Sequence, residues 1–409
     1  MKKYELTYIE NGVCAPRGFK AAGIHCGFRK NIKKNDLSLI VSDVMCNAAA
    51  VFTQNKLKGA PVLVNREHLK DGKARAIICN SGNANTCAPG GLEIAYGTCR
   101  LTAEALGINE NDVIVCSTGV IGSPIYLETF ENGIPKVIKK LSYKGSNAAA
   151  RGIMTTDKAV KEVAVSFKAG GKICRMGAIA KGSGMINPNM ATMLCFITTD
   201  AAIDQEVLQS ALSADIKDSF NQISIDGDTS TNDTVAIMAN GLACNAPITG
   251  SGEDLEAFRA ALRAISSYIC HHIVKDGEGA SKILKCMVSG APNKDVARGV
   301  SLTVIQSDLV KTSVFGEDAN WGRVLVAVGY SDKDFEVENI DIALAAGKSR
   351  VDVCKHSVAC LFDEDMAKKI LSQKEVHILI DLNQGDAGAI AYGCDMTLDY
   401  VRVNARYRT

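Results

Sequence analysis

The chain has 409 residues, with 46 Lys and Arg against 45 Asp and Glu and a formal net charge of +1 at pH 7. This balance lacks the basic surface typical of proteins that bind nucleic acid or acidic membranes. The 22% charged and 47% hydrophobic residues exclude a largely disordered chain. At about 150 residues per domain, the length predicts two to three domains or one large α/β unit.

Patterns of apolar residues predict helices and strands along most of the chain. In chain order we expect a strand at 75–82, a helix at 93–107, a strand at 112–120, helices at 124–141, 205–222 and 255–273, and strands at 300–310, 324–330 and 376–382. The mixture predicts an α/β or α+β fold. No linker or fixed-period repeat marks a domain boundary.

The cysteines and the amino terminus indicate the compartment. Fifteen cysteines run from Cys14 to Cys394 without a C-x-x-C pair, which is unlike a disulfide or zinc framework. We expect buried thiols in the reducing cytosol. The first residues lack the apolar stretch of a secretory signal, and no segment approaches 18 consecutive apolar residues. The sequence therefore predicts a cytoplasmic protein.

Several conspicuous residue groups have ordinary explanations. Asp226, Asp228 and Asp233 lack the spacing and terminal glutamate of an EF-hand, so we expect no metal. The adjacent His271 and His272 fall at the end of a predicted helix, where the helix dipole favours them. Cys116 and Cys195, beside predicted strands, are typical of buried fillers rather than nucleophiles.

Three polar, glycine-dense segments contain candidate chemistry: CSTGVIG (116–122), MTTD (154–157) and KGSGMINPNMATML (181–194). In the last, Thr192 follows a tight turn and precedes a strand-like run. Its hydroxyl can attack the carbonyl of Ala191 and, after hydrolysis of the ester, leave Thr192 as a new amino terminus. With a pKa of about 7.7–8.0, the new amine can serve as general base for the same hydroxyl. An isolated threonine is far more often an ordinary strand residue, so spacing alone leaves catalysis open.

The segment KGSGMINPNMATML resembles the self-cleavage and nucleophile segment of the ornithine acetyltransferase family of arginine biosynthesis, also called bifunctional glutamate N-acetyltransferase. The resemblance covers nearly the whole chain, through NSGNANTCAPG (80–90), CSTGVIG (116–122), IMTTD (153–157), SIDGDTSTNDT (224–234), KDGEGASK (275–282), FGEDANWGR (315–323) and YVRVNARYRT (400–409).

The resemblance implies transfer of an acetyl group from N-acetylornithine to glutamate through an acetyl ester on Thr192. It implies cleavage between Ala191 and Thr192 into chains of residues 1–191 and 192–409, which stay associated as one intertwined unit, two of each in a heterotetramer. The implied fold is an α/β sandwich of self-processing enzymes with a smaller C-terminal part. No permanently bound cofactor is implied, although acetyl-CoA is a possible acetyl donor.

The family's functional residues carry over to matching positions of this sequence. Thr118 and Gly119 match the oxyanion positions, and the substrate site is implied to contain Thr155, Lys181, Thr192, Glu278, Asn404 and Thr409. N-acetylornithine carries a carboxylate and an ammonium group, so its pocket needs a cation and an anion. We assign Lys181 to the carboxylate and Glu278 to the ammonium. The last segment alternates like a strand, and we expect this terminus to fold into the pocket.

Three alternatives stay open at this point. The enzyme is either bifunctional, also acetylating glutamate from acetyl-CoA, or a monofunctional ornithine acetyltransferase, because one acyl-threonine can be loaded from either donor. A self-processing aminopeptidase of related fold would hydrolyse peptides instead. An uncleaved binding protein would keep the scaffold without turnover, which the intact pair Ala191 and Thr192 disfavours.

Overall fold

A computed structural model describes residues 4–187 and 193–405 of the chain. Within these ranges the backbone forms sixteen strands: β1 (Thr7–Ile9), β2 (Phe19–Ile24), β3 (Leu37–Phe52), β4 (Lys73–Asn83), β5 (Val113–Val120), β6 (Lys161–Ala169), β7 (Lys172–Lys181), β8 (Leu194–Thr199), β9 (Ile223–Ser224), β10 (Thr234–Ala239), β11 (Ile283–Ala291), β12 (Asp341–Ala346), β13 (Ser349–Lys355), β14 (Val358–Ala359), β15 (Glu375–Asp381) and β16 (Ala387–Cys394).

The same ranges contain eleven α-helices: α1 (Ala60–His68), α2 (Gly91–Leu106), α3 (Leu127–Ile138), α4 (Ser146–Ile153), α5 (Gln205–Lys217), α6 (Glu253–Lys275), α7 (Lys294–Gln306), α8 (Asp308–Phe315), α9 (Trp321–Gly329), α10 (Glu364–Leu371) and α11 (Leu398–Asn404). None of these helices combines the length and the apolar content that a membrane-crossing helix requires.

Nine strands form the first sheet, in the order β1-β6-β7-β8-β10-β3-β4-β5, with β2 paired to β3. Strand β8 runs antiparallel to β7 and parallel to β10, and β10 runs antiparallel to β3. Strands β8 and β10, which follow residue 192 in the chain, therefore lie side by side between β7 and β3, which belong to the first 187 residues. Lys181, the last residue of β7, pairs with Leu194, the first residue of β8.

The central strands of the first sheet are buried on both faces. In β8, Cys195 and Ile197 pack in the core to which α5 and α6 contribute, whereas Leu194 and Phe196 pack in the core that contains residues of α4. This alternation follows from the two-residue period of a strand. Burial on both faces explains why β8 begins with four consecutive apolar residues, Leu194–Ile197.

Seven strands form a second, smaller sheet, in the order β14-β13-β12-β15-β11-β16-β9. All of them follow residue 192. Residues of β11, β12 and β15 share one core with residues of α7, α8, α9 and α10. The predicted α/β class, with a smaller C-terminal part, is therefore confirmed.

Most of the predicted elements are confirmed, and two are wrong. Strands β4, β5 and β15 and helices α2, α3, α5 and α6 occupy the predicted positions within a few residues. The strands predicted at 300–310 and 324–330 are wrong, because these residues belong to α7, α8 and α9.

The spacing of apolar residues and the helix caps explain this difference. The runs are rich in Val and Ile, which are typical of strands, but Val296, Val300 and Val304 recur every four positions and face one core. The side chains of Asn293 and Ser307 accept backbone hydrogen bonds at the starts of α7 and α8. Such caps stabilise a helix start by about 1 kcal/mol.

The C-terminal segment, which we expected to be strand-like, forms helix α11 over its described part. The hydroxyl of Thr397 accepts hydrogen bonds from the N–H groups of Asp399 and Tyr400 and caps the helix. The same hydroxyl donates to the carbonyl oxygen of Gly279 at 2.6 Å. This cap therefore holds α11 against the loop that follows α6.

All fifteen cysteines are free thiols, and eleven of them are buried. Burial raises the pKa of the Cys116 thiol to about 12 and also raises the pKa of Cys195. Both thiols are therefore protonated near neutral pH, and a protonated thiol is a poor nucleophile.

Candidate active site

Residues from seven separate segments line one cavity of about 240 Å³. The cavity lies where the ends of β5 and β7 meet the loops after α4 and α6 and helix α11. Six residues that the resemblance implies for the site line it together: Thr118, Gly119, Thr155, Lys181, Glu278 and Asn404. The predicted Ala191, Thr192 and Thr409 lie outside the described residues.

Thr118 and Gly119 form the end of β5 at the cavity. Gly119 has a φ of 133°, and a Cβ there would lie 2.3 Å from the backbone carbon of Gly82 in β4. Only glycine allows this close approach of two strands. The register of β4 and β5 shifts at the same point, so an irregular strand pair presents the two residues to the cavity.

Lys181 brings a buried cation to the same wall. Lys181 is the last residue of β7 and is 4% exposed to solvent. The Nζ donates a hydrogen bond to the hydroxyl oxygen of Thr118 at 3.3 Å. Burial lowers the pKa of Lys181, and the carboxylate of Asp157 opposes that effect. The side chain can bind an anion and orient the Thr118 hydroxyl.

Asp157, which was not predicted from the sequence as a site residue, connects two segments of the site. Its carboxylate accepts hydrogen bonds from the N–H of Thr155 at 2.9 Å and from the N–H of Gly182 at 2.8 Å. It also accepts one from the Nζ of Lys161 at 2.7 Å. Burial disfavours the charged carboxylate, but Lys161 and Lys181 outweigh it and hold the pKa of Asp157 at about 2.

A second carboxylate completes the ion pairs of Lys161. The Lys161 Nζ is 2.6 Å from Oδ2 of Asp276, and both side chains are nearly inaccessible to solvent. Asp276 also accepts hydrogen bonds from the N–H groups of Lys158 and Ala159. A buried cation is thus paired with two carboxylates, as a low-dielectric interior requires.

Glu278 brings a carboxylate to the cavity wall, which Asp226 and Asp228 also line. It is 9% exposed, and its N–H donates to the carbonyl oxygen of Ser183 at 2.7 Å. A Cβ on Gly184 would lie 2.4 Å from Oε2 of Glu278. The missing side chain at position 184 therefore leaves the space that the carboxylate occupies in the cavity wall. Lys181 and Glu278 supply the cation and the anion that a zwitterionic ligand needs.

Tyr400 and Asp226 also line the cavity and were missed by the sequence analysis as site residues. Asp226 accepts hydrogen bonds from the N–H groups of Met185 and Ile186 at 2.6 and 2.8 Å. Burial, with the nearby Asp226, Asp228 and Glu278, raises the pKa of Tyr400. Its phenol is therefore neutral and can donate a hydrogen bond. The sequence predicts a strand for the segment that contains Tyr400, so the position of its side chain in the cavity wall was not predicted.

Asn232 and Asp233, just before β10, hold two other parts of the site. The Asn232 side chain donates to the carbonyl oxygen of Ser117 at 2.9 Å, next to Thr118. Asp233 is 1% exposed, and its Oδ1 accepts from the N–H of Met193 at 3.0 Å. Its Oδ2 is buried without a hydrogen-bond partner among the described residues. Both residues lie in the segment SIDGDTSTNDT, and the resemblance of this segment to the family is the signal that could have identified them as site residues.

The two histidines considered from the sequence lie outside the cavity lining. His271 and His272 are in the last turns of α6, where His272 stacks on Tyr268 with ring centroids 3.9 Å apart. Within residues 4–187 and 193–405, no three His, Cys, Asp or Glu side chains are grouped so as to hold a metal ion.

Comparison with known proteins gives a consistent result over nearly the whole chain. The ArgJ family matches residues 20–409. The "Arginine biosynthesis bifunctional protein ArgJ" of Caldanaerobacter subterraneus is 46% identical over 405 residues, which cover 99% of this chain and 100% of the relative. The protein of the same name from Thermotoga neapolitana is 45% identical over 96% of this chain and 99% of the relative. A crystal structure of argJ from Bacillus halodurans is 43% identical and covers 52% of this chain and 98% of that chain, with a TM-score of 0.49.

Proposed function

The chain belongs to the ArgJ family, and from that premise we propose that it transfers an acetyl group from N-acetylornithine to glutamate in arginine biosynthesis. Thr192 is the nucleophile of the proposal. Its hydroxyl attacks the acetyl carbonyl, ornithine leaves, and the amine of glutamate then takes the acetyl group from the threonine ester. The ester divides one difficult transfer into two easier steps.

The observation that carries this proposal is the cavity in which Lys181 contacts Thr118 beside Gly119. Acyl transfer passes through a tetrahedral oxyanion, which hydrogen-bond donors can stabilise by about 3–4 kcal/mol. The Thr118 hydroxyl accepts from Lys181, so its own proton remains available for the oxyanion. The Gly119 N–H is the second proposed donor.

The charges of the wall support the choice of substrate. We assign the substrate carboxylate to Lys181 and the ornithine ammonium to Glu278, with Thr155 and Asn404 lining the space between the loops. Thr409, whose position lies outside the described residues, stays part of the proposed substrate site. A charged group buried without such a partner would cost several kcal/mol.

The proposal includes self-cleavage between Ala191 and Thr192 into chains 1–191 and 192–409. The freed amine of Thr192 then accepts the proton of its own hydroxyl and passes it to the departing nitrogen of ornithine. Strands β8 and β10 lie between strands of the first part, so the pairing of the first sheet supports continued association of the two chains.

Four finer features also belong to the proposal. Acetyl-CoA is a second acetyl donor, so that the enzyme is bifunctional, and no cofactor is permanently bound. Two copies of each chain form a heterotetramer. The protein is cytoplasmic, in keeping with fifteen unpaired cysteines that an oxidising compartment would tend to convert to disulfides.

Intact mass spectrometry of the purified, denatured protein tests the proposal first. We expect two species divided between Ala191 and Thr192, and a single uncut species in Thr192→Ala. The wild type is then assayed with N-acetylornithine and glutamate, with acetyl-CoA and glutamate, and with small peptides. Transfer by Thr192→Ala would contradict the mechanism, activity on peptides alone would indicate an aminopeptidase, and no use of acetyl-CoA would indicate a monofunctional transferase.

A further inference from the structure

Lys181 is connected to a group of buried charges behind the cavity wall. Asp157 accepts hydrogen bonds from the N–H of Gly182, next to Lys181 in the chain, and from the Nζ of Lys161. Lys161 is also paired with Asp276 at 2.6 Å. The two carboxylates therefore share one lysine, but of the two, only Asp157 has a hydrogen bond to the segment that carries Lys181, within the described residues.

The charges that act on Lys181 single out Asp157. The titratable groups that influence Lys181 are Asp157, Lys161, Asp233 and Cys79. The other titratable residues that line the same cavity as Lys181 are Asp226, Asp228, Glu278 and Tyr400. Burial raises the pKa values of Asp233 and Cys79, which favours their neutral forms, whereas the pKa of Asp157 is about 2 and its carboxylate is ionised.

The balance of charge gives Asp157 a second role beside its pairing with Lys161. Asp157 and Asp276 carry two negative charges, and Lys161 carries one positive charge. A protonated Lys181 brings this buried group to neutrality, which a low-dielectric interior favours. The two carboxylates are not equivalent for Lys181, because the charge of Asp157 acts on it directly. Loss of the charge on Asp157 therefore removes the compensation of Lys181, whereas loss of the charge on Asp276 mainly weakens the pairing of Lys161.

We propose that Asp157 is a positioning residue for acetyl transfer: it keeps Lys181 protonated and directs the ammonium at Thr118 and at the carboxylate of the substrate. It acts through Lys181 and Gly182 and does not touch the substrate. This inference rests on the proposed function, in which Lys181 binds the substrate carboxylate.

The substitution Asp157→Asn tests this role, because it removes the charge and keeps a side chain of nearly the same shape. Burial already lowers the pKa of Lys181, and loss of the carboxylate lowers it further. Lys181 then loses its proton as the pH rises. Above that pKa, the KM for N-acetylornithine is expected to rise about tenfold for each further pH unit, whereas the wild-type KM stays flat over the same range.

Asp276→Asn is the matched control, because it neutralises the other carboxylate of Lys161 and has no described contact with Gly182 or Lys181. We expect it to lower the melting temperature, as Asp157→Asn does, without making the KM depend on pH. The double variant Asp157→Asn, Lys181→Arg supplies a cation that does not titrate below about pH 12, and its KM should again be flat with pH.

The measurements are steady-state kinetics from about pH 6 to about pH 9, with intact mass and thermal unfolding of each variant. A flat KM in Asp157→Asn, or an equal pH-dependent rise in Asp276→Asn, would overturn the proposal. If Asp157→Asn does not fold or mature, Asp157→Glu replaces it. That variant keeps the charge, so a flat KM supports the proposal and a KM that rises with pH contradicts it. Absence of acetyl transfer in the wild type would instead refute the proposed function.

Discussion

The substitution Gly184→Ala is a direct test of Glu278 as the partner of the ornithine ammonium. A Cβ on residue 184 would lie 2.4 Å from Oε2, 2.5 Å from Cδ and 2.7 Å from Oε1 of Glu278. Since a carbon needs about 3.5 Å to these atoms, the carboxylate must move by about 1 Å. The backbone of Gly184 is not in the left-handed region, so alanine introduces no strain of its own there.

The displaced group is the end of a flexible side chain, so the cost should appear in binding rather than in stability. A hydrogen bond between charged groups contributes about 1.5–3 kcal/mol, which corresponds to a rise of about tenfold to a hundredfold in the KM for N-acetylornithine. The KM for glutamate, whose side chain carries no ammonium, should change much less. The melting temperature should fall by only a few degrees.

The assay compares both KM values of Gly184→Ala with those of Gly329→Ala, in which the new methyl group would meet no atom within 4 Å at the end of α9. The control should match the wild type in both constants. An unchanged KM for N-acetylornithine in Gly184→Ala, or an equal rise in both KM values, would refute the assignment of Glu278 to the ammonium.

Three further predictions concern the site and its support. Gly119→Ala places a methyl group against the backbone of β4 at a φ of 133°. We expect the free energy of unfolding, measured by denaturant titration, to fall by about 3 kcal/mol. We also expect acetyl transfer, measured by kinetics, to be lost. Lys161→Met leaves Asp157 and Asp276 without their shared cation, and denaturant titration should show a loss of about 3–5 kcal/mol; a stable variant would contradict the buried pairing. Deletion of Ala405–Thr409 should abolish turnover and keep the melting temperature, whereas unchanged kinetics would remove the C-terminal residues from the site.

The parts of the fold that could be predicted are those in which one periodicity dominates. Helix α6 follows from apolar residues every three or four positions, and strands β4, β5 and β15 follow from short β-branched runs between turn residues. The sequence predicts strands where helices α7 and α9 lie, because their Val-rich composition favours a strand. Their four-residue spacing and the core that they share with the second sheet stabilise a helix instead.

Matching motifs predict single residues of the site, but they do not predict the network of charges that connects these residues. Thr118, Lys181 and Glu278 come from segments far apart in sequence, and no pattern along the chain states that they share a cavity. Asp157 lies inside a recognised motif, yet its role depends on burial next to Lys161, which only the folded backbone creates. Such contacts are long-range, and local patterns carry no signal for them.

The order of strands in the first sheet also determines when the chain can be cut. A separate fragment 1–191 would expose unpaired edges on β7 and β3 where β8 and β10 belong, and open edges of this kind promote aggregation. The proposed cleavage must therefore follow folding. Once unfolded, the mature protein would have to bring two polypeptides together before β7 could pair with β8, or β3 with β10, again. Its working lifetime would then depend on the rate at which the sheet first opens, rather than on a reversible folding equilibrium.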